Sequence, residues 1–137
     1  MKKTSTLFAP VRVVAQVAVL ATALGAGISF SAQAAGSQSS FKEGILPILE
    51  KHCAECHAAG GQGEQASGLD LTSYEGVMKG TEHGPVVVPG DAFLSNMMVL
   101  IDGRAGPELK MPHGRKDLTR WEKTQIRRWI NRGALND

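Results

Sequence analysis

Apolar side chains recur at helical spacing in four stretches of the chain, and no pair of stretches alternates as paired β-strands would. The first stretch begins at Ser40, which forms a capping box with Glu43, and it leads to Cys53. Pro47 interrupts the stretch, so the helix is either kinked there or begins again with Pro47 in its first turn. The whole pattern predicts an all-α fold of three to five helices.

Two shorter helices are expected in the middle of the chain and a longer one at its end. A capping box at residues 72–75 begins a helix that ends at Gly80, and Asp91 is expected to cap a helix that ends near Gly103. The last helix begins with a capping box at residues 119–122. Its apolar stripe consists of Trp121, Ile126, Trp129 and Ile130.

Two segments between these helices lack periodicity and are expected to be loops. Residues 58–67 are rich in Gly, Ala and Gln, and residues 84–90 contain two prolines and three valines. Between them, Leu69 and Leu71 are separated by one residue and are expected to face an interior pocket.

The first 34 residues have the composition of a secretory signal peptide, with basic residues, an apolar segment and a final A-x-A cleavage site. We therefore expect a signal peptide at 1–34, a disordered lead-in at 35–40 and one domain at 41–137. The alternative is an uncleaved membrane anchor, because an apolar segment of about 18 residues can span a bilayer. After cleavage, no stable membrane insertion is expected.

The charge balance of the chain depends on this leader. The chain has 15 basic and 13 acidic residues, and three of the basic residues lie within 1–34. The remainder has 12 basic against 13 acidic residues, so its charge does not favour nucleic-acid binding.

The only two cysteines, Cys53 and Cys56, lie in the run CAECH at residues 53–57. This C-x-x-C-H spacing is that of c-type haem attachment, in which both thiols form thioethers with the porphyrin and the histidine binds its iron. A thioredoxin-like pair would need a βαβ context, and a zinc site would need further ligands. The sequence predicts one covalently attached haem c, with His57 as an iron ligand.

Met111 is the expected ligand on the other face of the iron. It lies in a Gly- and Pro-bounded loop, and Pro112 stiffens the chain after it. Methionines in helical apolar stretches more often fill the core. The alternatives are an open position or one of Met78, Met97, Met98, His52, His83 and His113. A methionine ligand would leave no coordination position for a substrate, which favours a carrier over an enzyme.

With these residues in place, the chain resembles the class I cytochrome c superfamily, and within it the planctomycete-type cytochrome c domain. The shared residues are PIL at 47–49, CAECH at 53–57, GLDL at 68–71, VPGD at 88–91, Ser95, MP at 111–112, Leu118, WI at 129–130 and GA at 133–134. The family often has a second proline after Met-Pro, whereas this chain has His113, and this departure keeps a histidine ligand as an alternative.

The resemblance also implies how the chain folds around the haem. Terminal helices would cross beside it, with Gly44 or Phe41 near Trp129, and a methionine would be the distal ligand. A loop proline carbonyl, at Pro85 in this chain, would orient the proximal histidine. The expected pocket residues are Leu69, Leu71, Pro85, Val86, Val87, Ile101 and Trp129.

The expected function is one-electron transfer in the periplasm, without catalysis. The partners would be electron donor and acceptor proteins, met transiently or as subunits of one complex. One alternative is a permanent electron-transfer subunit of a periplasmic oxidoreductase. Another is a haem sensor or peroxidase, which would have an open distal site.

Overall fold

The computed structural model describes residues 40–137, and the predicted signal peptide and all of the lead-in but Ser40 lie outside this range. The described part confirms the all-α fold, since its only β-contact is an isolated bridge between Thr81 and Gly84. Within residues 40–137, no helix is both long and apolar enough to cross a membrane. The α-helices are α1 Leu46–His52, α2 Ala54–His57, α3 Gln62–Ser67, α4 Tyr74–Lys79, α5 Asn96–Ile101 and α6 Arg120–Asn131. They are shorter and more numerous than the three to five expected.

A π-helical turn, Phe41–Ile45, precedes α1. Ser40 caps this turn, because its hydroxyl accepts a 3.2 Å hydrogen bond from the Glu43 N–H. The Leu46 N–H then donates to the carbonyl five residues earlier. Pro47 lies in the first turn of α1, where its missing N–H would have had no helical partner. Of the two possibilities for Pro47, the structure has the helix beginning again.

Helix α3 lies within residues 58–67, which were expected to be a loop, so that prediction was wrong. Gly61 is its N-cap, and the Glu64 carboxylate accepts a 3.1 Å hydrogen bond from the Gly60 N–H. Gly68 ends the helix in a left-handed conformation, with φ 71°. Its residues other than Gly63 are compatible with a helix, but none is buried, so no apolar periodicity marks the helix in the sequence.

The cap of α4 is Ser73 rather than Thr72. The Ser73 hydroxyl accepts a 3.0 Å hydrogen bond from the Gly76 N–H. Thr72 instead donates to the Asp70 carboxylate, from its N–H at 2.8 Å and its hydroxyl at 2.6 Å. The N-cap is therefore displaced by one residue from the expected position, and no reciprocal capping box forms, because Gly76 at N3 has no side chain.

Helix α5 begins four residues later than expected, because its N-cap is Ser95 and not Asp91. The Asp91 carboxylate accepts from the Leu94 N–H at 2.9 Å in a separate turn, which leaves Phe93 and Leu94 exposed. Ser95 precedes the helix and is fully buried. The apolar run at 93–101 is thus split between an exposed turn and a buried helix.

The capping box of α6 is present as expected, with reciprocal hydrogen bonds between Thr119 and Glu122. The stripe of Ile126, Trp129 and Ile130 is buried. Trp121 does not belong to that stripe, because 53% of its surface is exposed.

The core joins the two ends of the domain through aromatic rings. The Phe41 ring packs edge-on against Tyr74, with centroids 5.3 Å apart, and is tilted against Trp129 at 5.5 Å. The Tyr74 hydroxyl donates to the Ala134 carbonyl at 3.0 Å, and the Asp137 carboxylate accepts from the Phe41 N–H at 3.0 Å. The first and last helical segments therefore pack together, as the resemblance implies.

Candidate functional site

A cavity of about 400 Å³ is lined by α1, α2, α3, α5 and the segment that follows Met111. Its volume lies within the range of ligand-binding pockets. Cys53, Cys56, His57 and Met111 all line it. Most of the remaining wall is apolar, with contributions from Leu49, Leu69, Leu71, Val86, Leu100 and Ile101.

One turn of helix presents both thiols and the imidazole to this cavity. The Cys53 N–H donates to the Leu49 carbonyl at 2.8 Å and so continues α1 into the motif. The N–H groups of Cys56 and His57 both donate to the Cys53 carbonyl, at 3.1 and 2.9 Å. Both cysteines are free thiols. They are thus available for two bonds to one ligand.

The surroundings of Cys53 keep its thiol protonated at neutral pH. Burial raises the pKa of Cys53 to about 11, and the nearby Arg115 guanidinium only partly opposes this effect. A neutral thiol is the form expected against an apolar wall.

The ring of His57 is held by the run that follows α3. Its Nδ1–H donates to the Leu69 carbonyl at 3.2 Å, and the Leu71 N–H donates to the His57 carbonyl at 2.8 Å. The bond at Nδ1 fixes the tautomer in which Nε2 has a free lone pair for a metal. The proline carbonyl expected at Pro85 does not have this role. Pro85 is exposed, and the Leu69 carbonyl takes its place.

Met111 is half-buried and is fixed to α5 by its backbone. Its N–H donates to the Leu100 carbonyl at 3.1 Å, and the peptide bond to Pro112 is cis. The side chain lines the same cavity as His57 although the two residues are distant in sequence.

Three other candidate ligands also line the cavity, namely Met97, His52 and His113. His52 is already engaged, because its Nε2 is 2.9 Å from a carboxylate oxygen of Glu122. Met78, Met98 and His83 are not among the lining residues. Of the candidates for the second iron ligand, Met111, Met97, His52 and His113 therefore line the cavity, and Met78, Met98 and His83 do not.

Residues 53–113 match the model of the family described as Planctomycete cytochrome C. Over these residues, the chain is similar to a planctomycete-type cytochrome c domain. The matched segment begins at the first thiol of the attachment motif and extends just past Met111, so it includes all four residues that meet in the cavity. Comparisons with curated proteins and with solved structures gave no match.

The pocket residues expected from sequence fall into two groups. Leu69, Leu71, Val86 and Ile101 line the cavity. Pro85, Val87 and Trp129 are not among its lining residues. Trp129 lies in the core, where its ring contacts Phe41 and its Nε1–H donates to the Leu135 carbonyl at 2.8 Å. The Trp129 side chain therefore packs between the first and last helical segments and does not line the cavity.

An ion pair that sequence analysis missed connects the attachment motif to the segment after Met111. Arg115 lines the cavity, and its guanidinium pairs with the carboxylate of Glu55, which stands between the two cysteines. Both side chains are largely exposed, so the pair contributes little to stability. Two charged residues 60 positions apart give no sequence signal of such contact.

A buried carboxylate of α6 supports the wall of the cavity and was also missed. Glu122 accepts 2.9 Å hydrogen bonds from Lys51 and His52 and a 2.7 Å bond from the Thr119 N–H. Burial opposes its charge, but these hydrogen bonds lower the pKa of Glu122 to about 2. The capping-box pattern predicted the contact between Glu122 and Thr119. No pattern in the sequence predicted the contacts of Glu122 with Lys51 and His52 of α1.

Proposed function

We propose that this chain is a periplasmic c-type cytochrome that carries single electrons between partner proteins. One haem c would be attached to Cys53 and Cys56, with His57 and Met111 as axial ligands. The observation that best supports this proposal is the meeting of these four side chains in one cavity. The matched family points to the same chemistry.

The residues of the cavity fit a haem. Two free thiols lie on one helical turn, as two thioether bonds to one porphyrin require. The Leu69 carbonyl holds Nδ1 of His57 and leaves Nε2 for the iron. Leucine and valine side chains supply an apolar wall for a flat hydrophobic ring system. When bound, haem c supplies an iron that changes between the ferric and ferrous states.

The side chains around the cavity would set the reduction potential of that iron. Apolar walls exclude water and favour the less charged ferrous state, which raises the reduction potential. A thioether ligand from Met111 raises it further relative to a second histidine. The hydrogen bond from His57 to Leu69 acts in the opposite direction, because it makes the imidazole a stronger donor.

The positions of His57 and Met111 favour a carrier over a sensor or peroxidase. With one ligand from each, the iron has no coordination position for a substrate, and only electrons can pass. The partners would then be donor and acceptor proteins. Export follows from the signal peptide predicted at residues 1–34 and is part of the proposal.

The ferric absorption band that reports iron–sulfur(Met) ligation tests the proposal. We expect the wild-type protein to show this band and Met111→Ala to lose it. Met97→Leu is the matched control, because Met97 also lines the cavity and the substitution preserves its volume and apolar character. This control is expected to keep the band.

Two results would contradict the proposed ligands. If Met111→Ala keeps the band and Met97→Leu loses it, then Met97 binds the iron. A high-spin ferric wild type that rapidly binds carbon monoxide would instead indicate an open distal site and favour the sensor or peroxidase alternative.

A further inference from the structure

Helix α3 passes very close to the ring of His57 at Gly63. A β-carbon built on Gly63 would lie 2.8 Å from Cε1 and 2.9 Å from Nε2 of His57. Ordinary van der Waals contact begins at 3.4 Å, so helix and ring would have to separate by about 0.5 Å. The crowded nitrogen is the one that the hydrogen bond at Nδ1 leaves free for a metal.

The backbone at Gly63 gives no other reason for a glycine. Gly63 lies inside α3 and is not among the glycines with positive φ. Alanine would stabilise such a helical position relative to glycine. A β-carbon here would also be 3.0 Å from the Cys56 carbonyl, but its two nearest neighbours are imidazole atoms. The close approach to His57 therefore accounts for the glycine.

We infer that Gly63 is a positioning residue for the iron ligand. The absence of a side chain lets α3 lie against the imidazole and keeps the Nε2 side open to the cavity, which Gly63 also lines. The inference rests on the proposed function, in which Nε2 of His57 binds haem iron. Ligating groups must be held within about 0.5 Å of their working geometry. One added methyl group would cause a displacement of that size.

The test compares Gly63→Ala with Gln65→Ala in the haem-containing protein. Gln65 belongs to the same helix and is exposed, so this control changes α3 without adding an atom beside His57. In Gly63→Ala we expect the ratio of high-spin to low-spin ferric iron to rise about tenfold, equivalent to ligation weakened by about 1.4 kcal/mol. Gln65→Ala should keep the wild-type ratio. Electron paramagnetic resonance measures the ratio, and circular dichroism checks the helices.

Each outcome of this comparison decides the role of Gly63. A higher ratio of high-spin to low-spin iron in Gly63→Ala alone supports the positioning role, and so does loss of haem from that variant alone. An unchanged ratio in Gly63→Ala contradicts it, as does an equal rise or equal loss of haem in both variants. The wild type tests the proposed function separately, because a wild type without haem or with high-spin iron would refute that function before any variant is compared.

Discussion

Glu122 shows how one side chain can join the candidate site to the rest of the molecule. Its carboxylate is buried, and it receives hydrogen bonds from the end of α1 and from its own helix cap. His52, one of the donors, precedes Cys53 and lines the cavity. The Glu122 carboxylate thus fixes the end of α1 at the position where the attachment motif begins.

Glu122 is therefore expected to make stability depend on pH. Its pKa is about 2 in the folded protein against an ordinary value of 4.5, so the unfolded chain takes up the proton first as the pH falls. The contribution of Glu122 is full above pH 4.5 and is lost as the pH approaches 2. We expect Glu122→Gln to lower the free energy of unfolding at pH 7 by about 1.5–3 kcal/mol, because hydrogen bonds to a charged group are lost.

Urea unfolding at pH 7 and pH 3 measures this effect. Glu75→Gln is the control, since Glu75 is also in the first turn of a helix but is exposed. The control should match the wild type at both pH values, whereas Glu122→Gln should lose less stability than the wild type on acidification. Equal stability of Glu122→Gln and wild type at pH 7 would show that the hydrogen bonds do not stabilise the fold.

At the scale of elements, the turn that ends α3 brings the next residues of the chain into contact with His57. Gly68 turns the backbone in a left-handed conformation, and the next residue is Leu69, whose carbonyl holds the imidazole. A β-carbon at Gly68 would meet the Glu82 side chain at 2.9 Å. This turn therefore positions the Leu69 carbonyl, which holds the His57 ring.

We expect Gly68→Ala to lower the free energy of unfolding by about 1–2 kcal/mol, because alanine is strained in the left-handed region. Gly68→Asn is the matched variant, since asparagine tolerates this conformation better than alanine. Thermal and urea unfolding of the two variants give the comparison. If alanine is tolerated as well as asparagine, then the left-handed turn is not a source of strain.

The elements also show where sequence patterns are sufficient. The capping box at Thr119 and the buried stripe of α6 follow directly from residue type and spacing. Helix α3 was missed because none of its residues is buried, so it has no apolar face to detect. The start of α5 was misplaced because Phe93 and Leu94 continue the apolar run but lie in an exposed turn. The spacing of apolar residues cannot show that α3 is a helix or that residues 93 and 94 lie in a turn, because both depend on what each segment packs against.

At the scale of the whole molecule, the attachment motif could be identified from five consecutive residues, whereas its surroundings depend on distant contacts. Leu69, Leu71, Val86 and Ile101 were expected around the pocket and do line the cavity. Trp129 was expected there too, but the ring packs against Phe41 because the terminal helices meet. The carbonyl that holds His57 was expected at Pro85 and belongs to Leu69. The resemblance predicted the kind of contact but not the residue that makes it.

The central claim is that Cys53 and Cys56 bind one haem covalently, and haem staining of the denatured protein tests it most directly. The protein should be produced with its leader in a host that attaches haem c, and separated on a denaturing gel. We predict a haem-stained band at the size of the chain without residues 1–34, and none for the double variant Cys53→Ser/Cys56→Ser. An unstained wild-type band whose two thiols are free or joined to each other would contradict the account.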